Sequence, residues 1–281
     1  MDLEVQAGAG RVAEGQTAAP SVPDFSPAPA SASEPRLPKL IRAAQVVDSN
    51  ARSDNADPDL VKAVIRTIIT CGVVLGLLFA TAGTLQWWNG WLFVLGYSAL
   101  VASLTGFFSK SPDLVEERMT AGKKAKTWDR WLFALIAAVL PLLATVLAGL
   151  DRRFGWTDVL PVPVVMSAFA VMVASNVLTF WAMRVNAFFS SHVRIQDDRG
   201  HTVVSAGPYR FVRHPGYLGA IIYNLAAPIV LCSLPAFCVG IAMLLLFVAR
   251  TVLEDRALQE GLTGYREYAI KVRFRLVPFV W

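Results

Sequence analysis

The sequence predicts an all-α, polytopic integral membrane bundle of about six spans, the last two forming a short helical hairpin. Three observations carry this. Of 281 residues, 55% are apolar and only 17% charged, well below the quarter or so of charged residues in an average soluble domain. Long apolar stretches follow one another from residue 63 onward. The Lys and Arg residues between them alternate in density, as they do when basic loops stay in the cytoplasm.

Residues 1–58 differ from the rest. They are rich in Ala, Pro, Ser and Asp, and include Pro20, Pro23, Pro27, Pro29, Pro35, Pro38 and Pro58. Such a segment buries too little apolar surface to offset its chain entropy, so it is read as a disordered cytoplasmic tail. It is not a signal peptide: Asp2 and Glu4 stand where positive charge is expected, and no apolar core follows.

Residues 59–185 are expected to hold four transmembrane helices and an interfacial loop. Ala63–Leu85 is 23 residues, about 35 Å as a helix, enough for a bilayer core of about 30 Å. Trp91–Phe108, Trp131–Leu150 and Val162–Met183 are long enough as well. Tyr217–Ala249 has 33 residues, too many for one span. Pro228 and the Cys232-Ser233-Leu234-Pro235 turn divide it into two arms, each about 24 Å long.

No Lys or Arg lies between Gln86 and Gly90, whereas six lie between Lys110 and Arg130. Arg152 and Arg153 are offset by Asp151 and Asp158, and both flanks of the hairpin are basic. This places both termini in the cytoplasm. Trp87, Trp88, Trp91, Trp128, Trp131 and Trp156 fall at span ends, as interface anchors. Ser111 to Trp128 mixes acids with Lys123, Lys124 and Lys126 and reads as an interfacial amphipathic segment.

The net charge of +5 is too small and scattered for nucleic-acid binding. Cys71, Cys232 and Cys238 form no CxxC pair, and His192, His201 and His214 are spaced nine and thirteen apart, so no metal is expected. Nucleotide-binding glycine motifs are absent.

The chemistry-bearing residues fall in 186–281. Between Gln196 and Tyr217, Gly207-Pro208 and Pro215-Gly216 enforce an irregular loop that brings His, Tyr and Arg side chains to the bilayer surface. A plainer reading has Arg210 and Arg213 on lipid phosphates and Tyr209 and Tyr217 as interface aromatics. Asn186-Ala187-Phe188-Phe189 either packs the end of the fourth span or lines a mouth. After the hairpin, Arg250 and Glu254 are four apart on one helix face. They form either an interfacial ion pair or, with Asp255, an acidic site for a cationic ligand.

The order Gln196, His201-x-x-Val204, Gly207-Pro208-Tyr209, Arg213-His214-Pro215-x-Tyr217, hairpin, Arg250, Glu254-Asp255, Leu258 and Gly264-Tyr265-x-x-Tyr268 resembles the isoprenylcysteine carboxyl methyltransferase family of integral membrane methyltransferases. The resemblance covers about residues 186–281. It implies S-adenosylmethionine as cofactor, held by Gln196, His201, Thr202, Val203, Val204, Tyr209, His214, Pro215, Gly216, Tyr217 and Glu254. It implies a lipophilic or lipidated acceptor reached from the bilayer, with Arg250 facing it and Arg250, Glu254 and His214 as the catalytic set. Asp255 stands where that family has Glu. The acceptor atom is left open between a carboxylate oxygen and a thiol or amine. A sterol-type reductase using NADPH and a small transporter are the rival readings; no charge interrupts the middle of the apolar stretches, which speaks against the transporter. The Ala/Val/Arg-rich composition suggests a bacterial inner membrane.

Overall fold

The computed structural model describes residues 58–109 and 127–281. The N-terminal tail and most of the Ser111–Trp128 segment lie outside these residues. Among the described residues the secondary structure is entirely helical. In order the helices are α1 (Pro58–Ala82), α2 (Trp88–Ser109), α3 (Thr127–Phe154), α4 (Val162–Val185), α5 (Pro215–Val230), α6 (Leu234–Gly261) and α7 (Tyr265–Lys271). Five of them, α1, α2, α3, α4 and α6, are long and apolar enough to cross a membrane.

The helix limits follow local chemistry. Gly83, at φ +67°, ends α1 in a conformation that a side chain disfavours. α3 contains a π-turn at Leu135–Val139, which ends two residues before Pro141. Proline lacks the N–H of a regular ladder and crowds the carbonyl four residues back, and the wider turn accommodates it. Pro161 and Pro163 open α4, and Pro215 opens α5, all in first-turn positions that need no N–H. At the hairpin tip the Ser233 side chain accepts a hydrogen bond from the Ala236 N–H and caps α6.

The hairpin is confirmed, but its arms are unequal: α5 has 16 residues and α6 has 28. The apolar run ends at Ala249, whereas the helix continues through Arg250–Gly261. That stretch contains good helix formers, and Arg250, Asp255 and Gln259 find partners in the interior. Of the six expected spans, α5 is therefore the short one, about 24 Å. Trp87 also departs from expectation. It is buried against Phe79 and Gly90 rather than lying at an interface; Trp88, Trp91, Trp131 and Trp156 are exposed.

Small residues allow close crossings. A Cβ at Gly149 would lie 1.9 Å from Thr81 Oγ1, joining α3 to α1. At Gly219 it would lie 2.2 Å from Thr179 Oγ1 and 2.8 Å from the Ser175 carbonyl, where α5 meets α4. At Gly240 it would lie 2.6 Å from the Asn224 carbonyl, between α6 and α5. Close approach of this kind is what drives helix association where burial from water contributes nothing. The end of the bundle at the hairpin tip is also pinned by polar bonds. Asn89 donates to the Val230 carbonyl (3.0 Å), and Asp151 accepts from the Thr157 N–H and hydroxyl (2.8 Å each).

Gly219→Val is expected to force α4 and α5 apart and destabilise the detergent-solubilised protein by about 1–3 kcal/mol. Thermal unfolding would register this as a lowered Tm; an unchanged Tm would show that the crossing is not tightly packed.

Candidate active site

The loop 186–214, between α4 and α5, folds over the end of the bundle away from the hairpin tip. Its shape comes from two 3-10 turns, Asp197–Arg199 and Gly207–Arg210, and from Gln196 as an internal strut. Gln196 is buried; its amide donates to the Phe188 carbonyl (2.7 Å) and accepts from Arg199 (2.6 Å). Its backbone N–H donates to His201 Nδ1 (3.3 Å), and the His201 ring lies against Phe188. Burial lowers the His201 pKa, although Asp197 and Glu254 pull the other way. The bond from Gln196 requires an unprotonated Nδ1, in agreement with a neutral ring.

Loop, α6 and C-terminal segment are joined at one carboxylate. Asp255 is fully buried. Arg213 reaches it through Nε (2.8 Å to Oδ1) and Nη2 (2.9 Å to Oδ2). Gln259 (2.9 Å), the Tyr265 hydroxyl (3.0 Å) and Arg275 Nε (2.9 Å) also donate to it, and His214 Nε2 lies 3.5 Å away. Arg213 Nη1 donates in addition to the carbonyls of Ala269, Val272 and Arg273 (3.0–3.3 Å). The backbone N–H groups of Arg213 and His214 donate to the Phe274 and Arg275 carbonyls. The Tyr268 hydroxyl donates to the Tyr209 carbonyl (2.7 Å), and burial pushes the phenols of Tyr209, Tyr265 and Tyr268 well up.

These contacts enclose a cavity of about 350 Å³, within the range of small-molecule sites. Gln196, His201, Thr202, Val203, Val204, Tyr209, His214, Gly216, Tyr217 and Glu254 all line it. So do Asn186, Phe188 and Phe189, which makes the end of α4 a wall of the cavity and not merely a packed helix end. Gly216 is required here: a Cβ would come within 2.7 Å of the Phe189 ring. Arg194 is paired with Asp198 and Arg213 with Asp255. Glu254 lines the cavity and accepts a hydrogen bond from the Tyr217 hydroxyl.

Several placements differ from the sequence expectation. Pro215 is buried at the start of α5 and does not line the cavity; it sets the helix start. Arg213 turns inward instead of toward lipid phosphate, because Asp255 and three carbonyls satisfy it there; Arg210 is exposed. Arg250 is also outside the lining. Its ion pair is with Asp129 (2.9 Å), not Glu254, and it donates to the Ser191 carbonyl (2.6 Å). The Tyr217 ring, expected among the cofactor-holding residues, is stacked on His214 and carries the Arg250 guanidinium at 5.4 Å. Sequence reasoning missed Asp129, Arg213 as a strut, and the cavity-lining Tyr265 and Tyr268. The Gly264-Tyr265-x-x-Tyr268 spacing was the available signal for the two tyrosines.

Asp255→Asn leaves the buried Arg213 uncompensated and is expected to cost about 3–5 kcal/mol, read as a loss of Tm; a near-normal Tm would show that the hub is not structural. His201 gives a pH dependence. Its folded pKa lies below the ordinary 6.5, so protonation opposes the folded loop. Its contribution is complete above about pH 6.5 and is lost as pH falls from there through the lowered native value. Hydrogen exchange across residues 196–204 should accelerate in that acid range in the wild type, and His201→Gln should flatten the change.

Comparison with known proteins bears on the same region. Residues 167–260 match the model of the isoprenylcysteine carboxyl methyltransferase family. A probable protein-S-isoprenylcysteine O-methyltransferase of Oryza sativa subsp. indica is 34% identical over 95 residues, 33% of this chain and 49% of that protein. Protein-S-isoprenylcysteine O-methyltransferase B of Arabidopsis thaliana is 30% identical over 94 residues, 33% of this chain and 47% of that protein. The chain thus spans about half the length of the curated relatives it matches. The solved structure of the eukaryotic intramembrane Ras methyltransferase of this family aligns with a TM-score of 0.46 and 16% identity, covering 86% of this chain and 93% of that one. The region from α4 to the end of α6, which supplies most of the cavity wall, is the part of the chain that matches the isoprenylcysteine carboxyl methyltransferase family.

Proposed function

We propose that the protein is an integral membrane methyltransferase that binds S-adenosylmethionine in the cavity above α5 and α6 and methylates a lipophilic acceptor of the isoprenylcysteine class. One observation carries the reading. Ten of the eleven residues that the motif order assigns to the cofactor line a single cavity, although they come from one loop and two helices and are separated by up to 58 positions.

The donor set suits that cofactor. Glu254 offers a carboxylate for an ammonium or sulfonium charge, Tyr209 and Phe188 offer aromatic edges to an adenine, and His201 and His214 offer ring nitrogens to ribose or carboxylate. Bound there, S-adenosylmethionine would supply an electrophilic methyl group. The chain's part is then to exclude water and to hold the acceptor in line at about 3–3.5 Å. A carboxylate acceptor needs no general base. Arg250, buried with no partner on its Nε, has a donor left for such a carboxylate beside the two bonds that fix it. The basic loops favour a cytoplasmic orientation for the cavity end and both termini, and the composition favours a bacterial inner membrane.

Calorimetric titration of the detergent-purified protein with S-adenosylhomocysteine tests the reading. Micromolar binding is expected, with Glu254→Gln and His214→Ala each weakening it at least tenfold, about 1.4 kcal/mol. No binding by folded wild type, with NADPH binding instead, would overturn the reading in favour of a reductase.

A further inference from the structure

Outside the cavity, the first turn of α3 holds a buried acid that the proposed chemistry does not use. Asp129 is fully inaccessible to solvent. Its Oδ1 lies 2.9 Å from Arg250 Nη2, and its Oδ2 lies 2.9 Å from both His192 Nδ1 and the Val193 N–H. The same Arg250 nitrogen donates to the Ser191 carbonyl. Three consecutive residues of the loop, Ser191 to Val193, are therefore tied to one ion pair between α3 and α6. His192 and Val193 line the cavity. The arrangement extends to the far wall: the Arg250 guanidinium lies between the rings of Phe133 (5.6 Å) and Tyr217 (5.4 Å), and Tyr217 bonds Glu254.

A surface ion pair would not justify this wiring. Burying a carboxylate fully is unfavourable unless it is compensated, and here Oδ2 meets His192 and the Val193 N–H while Oδ1 is held by the ion pair with Arg250. Every one of those partners belongs to the cavity rim or touches a residue that does. We infer that Asp129 is a positioning residue: it locks the Ser191–Val193 rim and Arg250 into one unit, so that the donor cavity depends on a helix that does not line it. This rests on the methyltransferase reading above and deepens it.

The test compares Asp129→Asn, Asp129→Glu and a control, Asp151→Asn, by Tm and by calorimetric affinity for S-adenosylhomocysteine. Asp151 is equally a buried acid of α3, but it serves the opposite end of the bundle. Both Asn variants are expected to lower Tm. Asp129→Asn should weaken the ligand at least tenfold, while Asp151→Asn leaves its affinity within twofold of wild type. Asp129→Glu keeps the charge but displaces it by one methylene, and should weaken binding at least threefold; it carries the test alone if Asp129→Asn does not fold. Wild-type affinity in a folded Asp129 variant, or an equal loss in Asp151→Asn, would overturn the inference while leaving the methyltransferase reading intact. Absence of binding in the wild type would instead overturn that reading and the inference with it.

Discussion

The carboxylate of Asp255 is the point on which the cavity end of the molecule depends. It accepts from residues of the loop, of its own helix, of α7 and of the C-terminal segment. Beyond α6, the loop and α7 share only a small apolar cluster around Leu262, Tyr265 and Tyr268. A buried charge would be costly without these donors, and the donors would be costly without the charge, since Arg213 is buried as well. The structure is thus specific in a way that apolar packing alone would not make it: a different arrangement of loop and tail would leave both charges unpaired.

The adjacent acid is used differently. Glu254 and Asp255 are neighbours on a helix, so their side chains diverge by about 100°. Asp255 faces inward to the hub, and Glu254 faces the cavity. The shorter side chain fits the crowded position, where a glutamate would need room for another methylene. The position at which this chain departs from its resembled family is therefore the acid of the buried hub and not the one that faces the cavity.

Much of this was legible in advance. Apolar runs identified the long helices because helix length against bilayer thickness is a strong constraint, and Ser233 with Pro235 marked the hairpin tip. The cavity-lining residues were legible as an ordered motif. What escaped was tertiary. Arg213 reads as a surface base until its partner 42 residues away is known. Asp129 reads as a first-turn acid that merely complements a helix dipole, and only folding brings Arg250 and His192 to it. The length of α6 escaped because hydropathy reports where a helix leaves an apolar environment, not where it stops being a helix. Trp87 escaped because a tryptophan beside a glycine can turn inward as readily as toward an interface.

The π-turn at Leu135–Val139 acquires a different meaning beside these buried charges. One extra residue in a helical turn offsets the two halves of a helix in phase by about 100°. The half of α3 that packs against α1 through Gly149 and the half that carries Asp129 need not obey the same angular register. The bulge works as a clutch between them: membrane packing can fix one half while the other is rotated independently to aim a carboxylate at Arg250. Pro141 keeps that offset from annealing into a regular helix, so the proline's value to the molecule is rotational rather than a matter of bending.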